Sequence, residues 1–159
     1  MHEVMVESWN EVVDPYDTVY HLGDIAFSRD RIHPVLLRLN GRIKYLLGNH
    51  DKSRPRVPHD WECLGGYHEI RGLPQLIVLN HYGQRVWNKS HYGSWHLHGH
   101  SHGSLPPLGR SVDVGVDSPY VTGKAEYRPL SFDEIEAFMA NQSALPHHGR
   151  VIDEDPSDI

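Results

Sequence analysis

Cysteine is almost missing from this chain of 159 residues: Cys63 stands alone, so no internal disulfide can form, and a reducing compartment, the cytoplasm by default, is the expectation. Long apolar runs are missing as well. No stretch reaches the ~20 residues that span a bilayer, and no secretory apolar region follows Met1, so no membrane association is expected. Positive charge is scarce, with 15 Lys and Arg against 21 Asp and Glu and a net charge of -6. That balance argues against a broad DNA-binding surface, because nonspecific DNA affinity rests on Lys and Arg at phosphates. It leaves room for a phosphorylated substrate, since bound cations reverse the local field. Internal repeats are absent too. The length and the 38% hydrophobic content fit one soluble domain able to bury a core.

Histidine, by contrast, is abundant at 14 residues, and the run Leu97-His98-Gly99-His100-Ser101-His102-Gly103 gathers three at alternating positions. Residues two apart on an extended backbone point to the same side, so His98 and His100 are expected to converge on one point. Neutral imidazole is a common metal ligand. Gly99 is expected to give the backbone a sharp conformation at no Cβ cost.

The chain reads as alternating helices and strands. A helical face runs from His2 to Val13 and ends before Asp14-Pro15. Thr18 to Leu22 and Ile43 to Leu47 read as strands, with a helix over Arg29 to Leu39 between them and Pro34 near its first turn. Lys52 to Gly66 reads as loop. Tyr67–Arg71, Leu76–Asn80, Trp95–His98 and Ser111–Asp117 come next as strands. Ser131 with Glu134 three residues on is a capping-box pattern opening a last helix. Residues 1–144 are expected to form the domain and 145–159 a flexible tail.

Four strands deliver a polar cluster at their C-terminal ends: Gly23-Asp24, Gly48-Asn49-His50-Asp51, Asn80-His81 and His98-Gly99-His100. Taken singly, Asp24 is a turn cap, Asn49 an ordinary turn residue and His81 a hydrogen-bonded core histidine. Taken together they suggest one site, since α/β proteins bind ligands beyond the carboxyl ends of their strands.

In this order the motifs resemble the calcineurin-like metallophosphoesterases, in particular a small bacterial and phage branch. The resemblance runs roughly from Ser8 to Phe138 and includes Thr18 to Asp24 and Val112 to Asp117. It implies a four-layer α-β-β-α sandwich of two mixed sheets. It also implies a divalent transition metal, Mn first and Fe or Zn as alternatives, and hydrolysis of a phosphomonoester or phosphodiester by metal-activated water. By resemblance Asp24 bridges two metals, Asn49, His81 and His98 complete one, and His100 belongs to the other. His50 is the general acid at the phosphate, and Asp51 either orients it or caps the following loop. Arg85 and Trp87 are candidates for lining the pocket, Arg85 as a substrate-binding residue, Trp87 as a stacking surface for a nucleotide. Lys52, Arg54 and Arg56 either steer anions or form a solvated loop.

The family's opening strand with its Asp-x-His motif has no counterpart, and no such triplet occurs anywhere in the chain. One metal therefore keeps a full protein set and the second keeps Asp24 and His100 alone, a strong and a weak site. Two explanations stand: a start at an internal methionine of a longer protein, or a naturally shortened form with impaired activity. The lost strand would leave an open sheet edge that invites a homodimer. Ile25-Ala26-Phe27 also replaces the Asp-Arg-Gly that many relatives carry. The alternative function is a non-catalytic metal-binding remnant of the fold.

Overall fold

Helix α1 spans His2–Asn10 in the computed structural model, which describes residues 2–25, 34–51 and 55–146. Bonds from Glu11 N to Glu7 O and from Val13 N to Trp9 O carry the helical path almost to its expected end. The side chain of Asn10 then ties α1 to the chain before β2, donating to Arg38 O at 2.9 Å and accepting from Asn40 N at 2.8 Å. Of the helix expected over 29–39, residues 34–36 are helical and 29–33 lie outside the described residues.

Strands β1 (Thr18–His21), β2 (Arg42–Tyr45) and β3 (Glu62–Cys63) form one sheet in that order, parallel throughout. β3 falls in the stretch read as loop. Two residues carry no alternation for a pattern to detect, yet Lys44 pairs with Glu62 across the strands at 2.8 Å. Among the described residues β1 lies at a sheet edge.

The second sheet holds β4 (Tyr67–Ile70), β5 (Ile77–Asn80), β6 (Trp95–His98) and β7 (Ser111–Asp113), in that order. It is mixed: β4 runs antiparallel to β5, and β5, β6 and β7 run parallel. The chain is thus an α/β sandwich of two sheets, one mixed and one parallel. β7 stops short of its expected end because the Asp113 carboxylate accepts Gly115 N at 2.8 Å and turns the chain.

Alternation gives the second sheet two unlike faces. Ile77, Leu79, Trp95, Leu97 and Val112 point to one side, where Leu46, Ile135 and Met139 join them in the hydrophobic core. Each such side chain contributes about 1.5–3 kcal/mol by leaving water. His96, His98, Ser111 and Asp113 share the other face and are just as deeply buried. Helix α2 (Phe132–Met139) supplies Ile135 and Met139, and the Ser131–Glu134 capping box at its start forms in full.

Candidate metal centre

β1 and β2 run parallel with His21 opposite Tyr45, so the turns beyond them emerge side by side. Two glycines let those turns touch. A Cβ on Gly23, at φ +101, would lie 2.6 Å from Gly48 N and 2.8 Å from His81 Nδ1. One on Gly48 would run into the Asp24 carboxylate. Asp24 itself takes a left-handed φ of 55, which a short polar side chain tolerates better than most. β5 and β6, parallel neighbours in the other sheet, deliver His81 and the loop of His100 to the same place.

There the side chains interlock around one imidazole. His81 Nδ1 sits 2.8 Å from the carbonyl oxygen of Leu22 and donates to it, since a carbonyl only accepts. In the neutral tautomer that this bond selects, Nε2 carries the lone pair. That nitrogen faces Asn49 Oδ1 at 2.9 Å, Asp24 Oδ2 at 3.4 Å and His100 Nδ1 at 3.2 Å. Ligand atoms of Asp24, His81 and His100 all lie within 4.8 Å of one another. Two acceptor oxygens and a second imidazole thus meet at one ring nitrogen, a convergence that a cation can bridge. Neighbouring ligands on an ion with bonds of about 2.0–2.2 Å stand roughly 3.0–3.5 Å apart, and the three distances to His81 Nε2 are of that size. An imidazole whose other nitrogen donates to a backbone carbonyl is the usual arrangement for a metal ligand. The donor set of two imidazoles, a carboxylate and an amide oxygen fits a divalent transition ion.

Beneath this knot lies Asp51. Its Oδ2 accepts Asp24 N at 2.7 Å and Gly48 N at 2.9 Å, fastening the two turns together, while its Oδ1 is buried without a hydrogen-bond partner. Neither expectation for Asp51 covers the bond to Asp24. His21 packs close by, and burial holds its imidazole below the usual histidine range against the opposing pull of Asp51 and Asp24. Sequence reading passed over His21, which looked like an ordinary strand residue. His50 is exposed, with its backbone N–H on Asp24 Oδ1 at 2.8 Å, so its side chain leaves the turn on the solvent side.

The histidine run departs from expectation. His98 and His100 do not converge. His98 is 1% exposed on the polar face of the sheet, with Nδ1 3.2 Å from Gly99 O and a ring contact to His96. Gly83 packs so close to its ring that a Cβ there would come within 3.3 Å of Nε2. Burial lowers its pKa. The structure groups His100, not His98, with Asp24, Asn49 and His81. Gly99 is also not the sharp residue: the left-handed conformations fall on His100 (φ 64), His102 (φ 48) and Gly103 (φ 72).

His102 was left without a role by the sequence. Its hydrogen bond to Asp117 Oδ2, at 2.5 Å, and the charge of that carboxylate raise its pKa, with smaller contributions from Asp113 and Asp24. Its signal was present in the sequence, because His102 stands two residues after His100 just as His100 stands two after His98.

Other candidates sit apart. Arg85 is exposed, and no ion pair ties it to the cluster among the described residues. Trp87 is 5% exposed and donates from its indole to Ser94 O at 3.1 Å, so it offers no open face for stacking. The exposed ring beside the cluster is Tyr82, with its centroid 4.6 Å from that of His100. Trp87 instead lines a cavity of about 500 Å³ with Tyr67, Gln84 and Lys89. Arg56 is exposed, while Lys52, Arg54 and the segment after Ile25 lie outside the described residues.

No family model matches the chain. It is 29% identical over 147 residues to MJ1445, an uncharacterized protein of Methanocaldococcus jannaschii, over 85% of this chain and 73% of that one. Its fold is similar to that of AQ665, a protein of unknown function from Aquifex aeolicus whose crystal structure is known. There the TM-score is 0.60 at 22% identity, over 86% of this chain and 83% of the other. That likeness bears on the fold alone and agrees with the two-sheet sandwich. No helix among the described residues is long and apolar enough to cross a membrane.

Proposed function

We propose that this chain holds a divalent transition metal through Asp24, Asn49, His81 and His100 and hydrolyses a phosphate ester there. One observation carries the reading: Nε2 of His81, whose other ring nitrogen is held by Leu22 O, faces Asn49 Oδ1, Asp24 Oδ2 and His100 Nδ1 within 2.9–3.4 Å. The motif order along the chain, which resembles the calcineurin-like metallophosphoesterases, supports the choice of reaction.

When bound, the cation supplies Lewis-acid polarisation of a phosphoryl oxygen and acidifies a water. The residues do the rest. Leu22 O fixes the tautomer of His81, and Asp51 holds the Asp24 and Asn49 turns in register. His50, on the solvent side of the turn, is placed to give a proton to the leaving oxygen. The pair His102–Asp117, on the same loop as His100 and the turn after β7, offers ligands for a weaker second ion. Tyr82 is the surface that a flat leaving group would meet. The substrate class remains a phosphorylated small molecule or nucleotide, and the cell compartment in this reading is the cytoplasm.

The test is turnover of an aryl phosphodiester and an aryl phosphomonoester by the purified chain, with added Mn and after chelation. Hydrolysis that rises with Mn and vanishes in His50→Ala is the expected result. Metal binding with no turnover on either ester would favour the non-catalytic remnant.

A further inference from the structure

We propose that Asp113 is the positioning residue of the metal-binding loop, a buried carboxylate that clamps residues 99–103 so that His100 reaches His81 and Asp24. This rests on the metal reading above. Asp113 ends β7 opposite His98 and is 0% exposed. A carboxylate so placed is costly to bury unless its oxygens are well satisfied, and no ion pair to it occurs among the described residues. Hydrogen bonds satisfy it instead. Oδ2 accepts from Ser101 Oγ at 2.6 Å and Gly103 N at 2.9 Å, and Oδ1 accepts from Gly115 N at 2.8 Å.

Those donors show what the carboxylate does. Ser101 lies between His100 and His102, and Gly103 closes the loop, so one oxygen grips the chain directly after each of the two histidines. His100 and His102 both hold left-handed backbone conformations that imidazole residues seldom adopt unless their surroundings impose them. The bonds to Ser101 and Gly103 impose them. The other oxygen, with the bond from Ser118 Oγ to Asp113 O at 2.8 Å, anchors the turn that carries Asp117, the partner of His102. Gly103 completes the contact, since a Cβ there would meet Pro119 at 2.8 Å. One buried side chain thereby sets the loop of His100 and the pair His102–Asp117 against each other.

The experiment uses cobalt as the probe: Co(II) titration of the full chain, read by ligand-field absorption and apparent affinity, alongside thermal melting. Asp113→Asn keeps the volume but turns an N–H₂ toward one of the three donors. It should weaken cobalt binding by about 10–100-fold, as loss of a supporting partner does, and shift the absorption bands. Ser101→Ala removes one grip and should move both readouts in the same direction by less. Val112→Ala, a neighbouring core truncation, should lower the melting temperature while leaving affinity and bands at parental values.

A folded Asp113→Asn that binds cobalt with parental affinity and bands overturns the proposal. If Asp113→Asn does not fold, parental behaviour of Ser101→Ala overturns it. A Val112→Ala that moves the bands as Asp113→Asn does also overturns it, because the effect is then one of stability alone. A parent chain that binds no cobalt overturns the metal reading itself, and this inference with it.

Discussion

Truncating His98 and His100 separately distinguishes a ligand from a packed core histidine two residues away. His98 is 1% exposed, and its ring fills the space between Gly83 and His96. His98→Ala should therefore cost about 2–4 kcal/mol in cavity and lost contact. A chain of this length loses roughly 2–4 °C per kcal/mol, so the metal-free melting temperature should fall by roughly 5–15 °C. His100 is exposed. His100→Ala keeps the same backbone conformation and should leave metal-free stability within about 0.5 kcal/mol.

The increment gained on adding metal ranks the two variants the other way. An ion at a hundred times its dissociation constant stabilises the folded parent by about 2.7 kcal/mol. His98→Ala should keep that increment. In His100→Ala, affinity weaker by 10–100-fold leaves only about 0.4–1.4 kcal/mol at the same concentration. Melting curves of parent and both variants, with and without Mn, give all six values. A metal-induced shift that survives in His100→Ala and disappears in His98→Ala would refute the assignment and return His98 to the ligand set.

His50→Ala should keep both the metal and the melting temperature while losing about 10²–10⁴-fold in turnover; a parallel loss of metal, by elemental analysis, would make His50 a ligand. His96 gives a pH signature: burial holds its pKa down to about 4, against 6.5 unfolded, because the ring is wholly enclosed, and the hydrogen bond to Val78 O opposes that shift only in part. The unfolded chain takes up the proton first, so this contribution is complete above pH 6.5 and is lost as pH falls toward 4, about 3 kcal/mol in all. His96→Gln should flatten the stability profile in that window, and an unchanged slope would assign the acid sensitivity to other groups.

Much of the fold was legible because its signals are local. Ser131 and Glu134 stand at the spacing that two reciprocal bonds require, and the box formed. Leu76 to Asn80 and Trp95 to His98 are short apolar runs ended by polar residues, and both became central strands. β3 was not legible, because a two-residue strand is selected by its partner, through pairs such as Lys44 with Glu62. The same limit hid the polar face of the second sheet. His96 and Asp113 each look like surface residues in sequence; only the register of β6 on β7 places His96 opposite Ser111 and His98 opposite Asp113, deep under the chain beyond β5.

The convergence of Asp24, Asn49 and His81 was legible in the sequence, and the choice between His98 and His100 was not. Asp24, Asn49 and His81 each come just after a strand, and parallel strands bring their C-terminal turns to one end whatever path the loops take. His98 and His100 are different, because the alternation that assigns them one face holds only while the strand lasts. β6 ends at His98. His98 thus obeys the sheet and points with His96 to the buried face, while His100 belongs to a loop whose left-handed residues break the alternation. What breaks it is Asp113, far along the chain in β7, through its bonds to Ser101 and Gly103. The histidine that meets His81 is selected here by a carboxylate bonded to neither ring of the pair His81–His100, and no local period of two can contain that information.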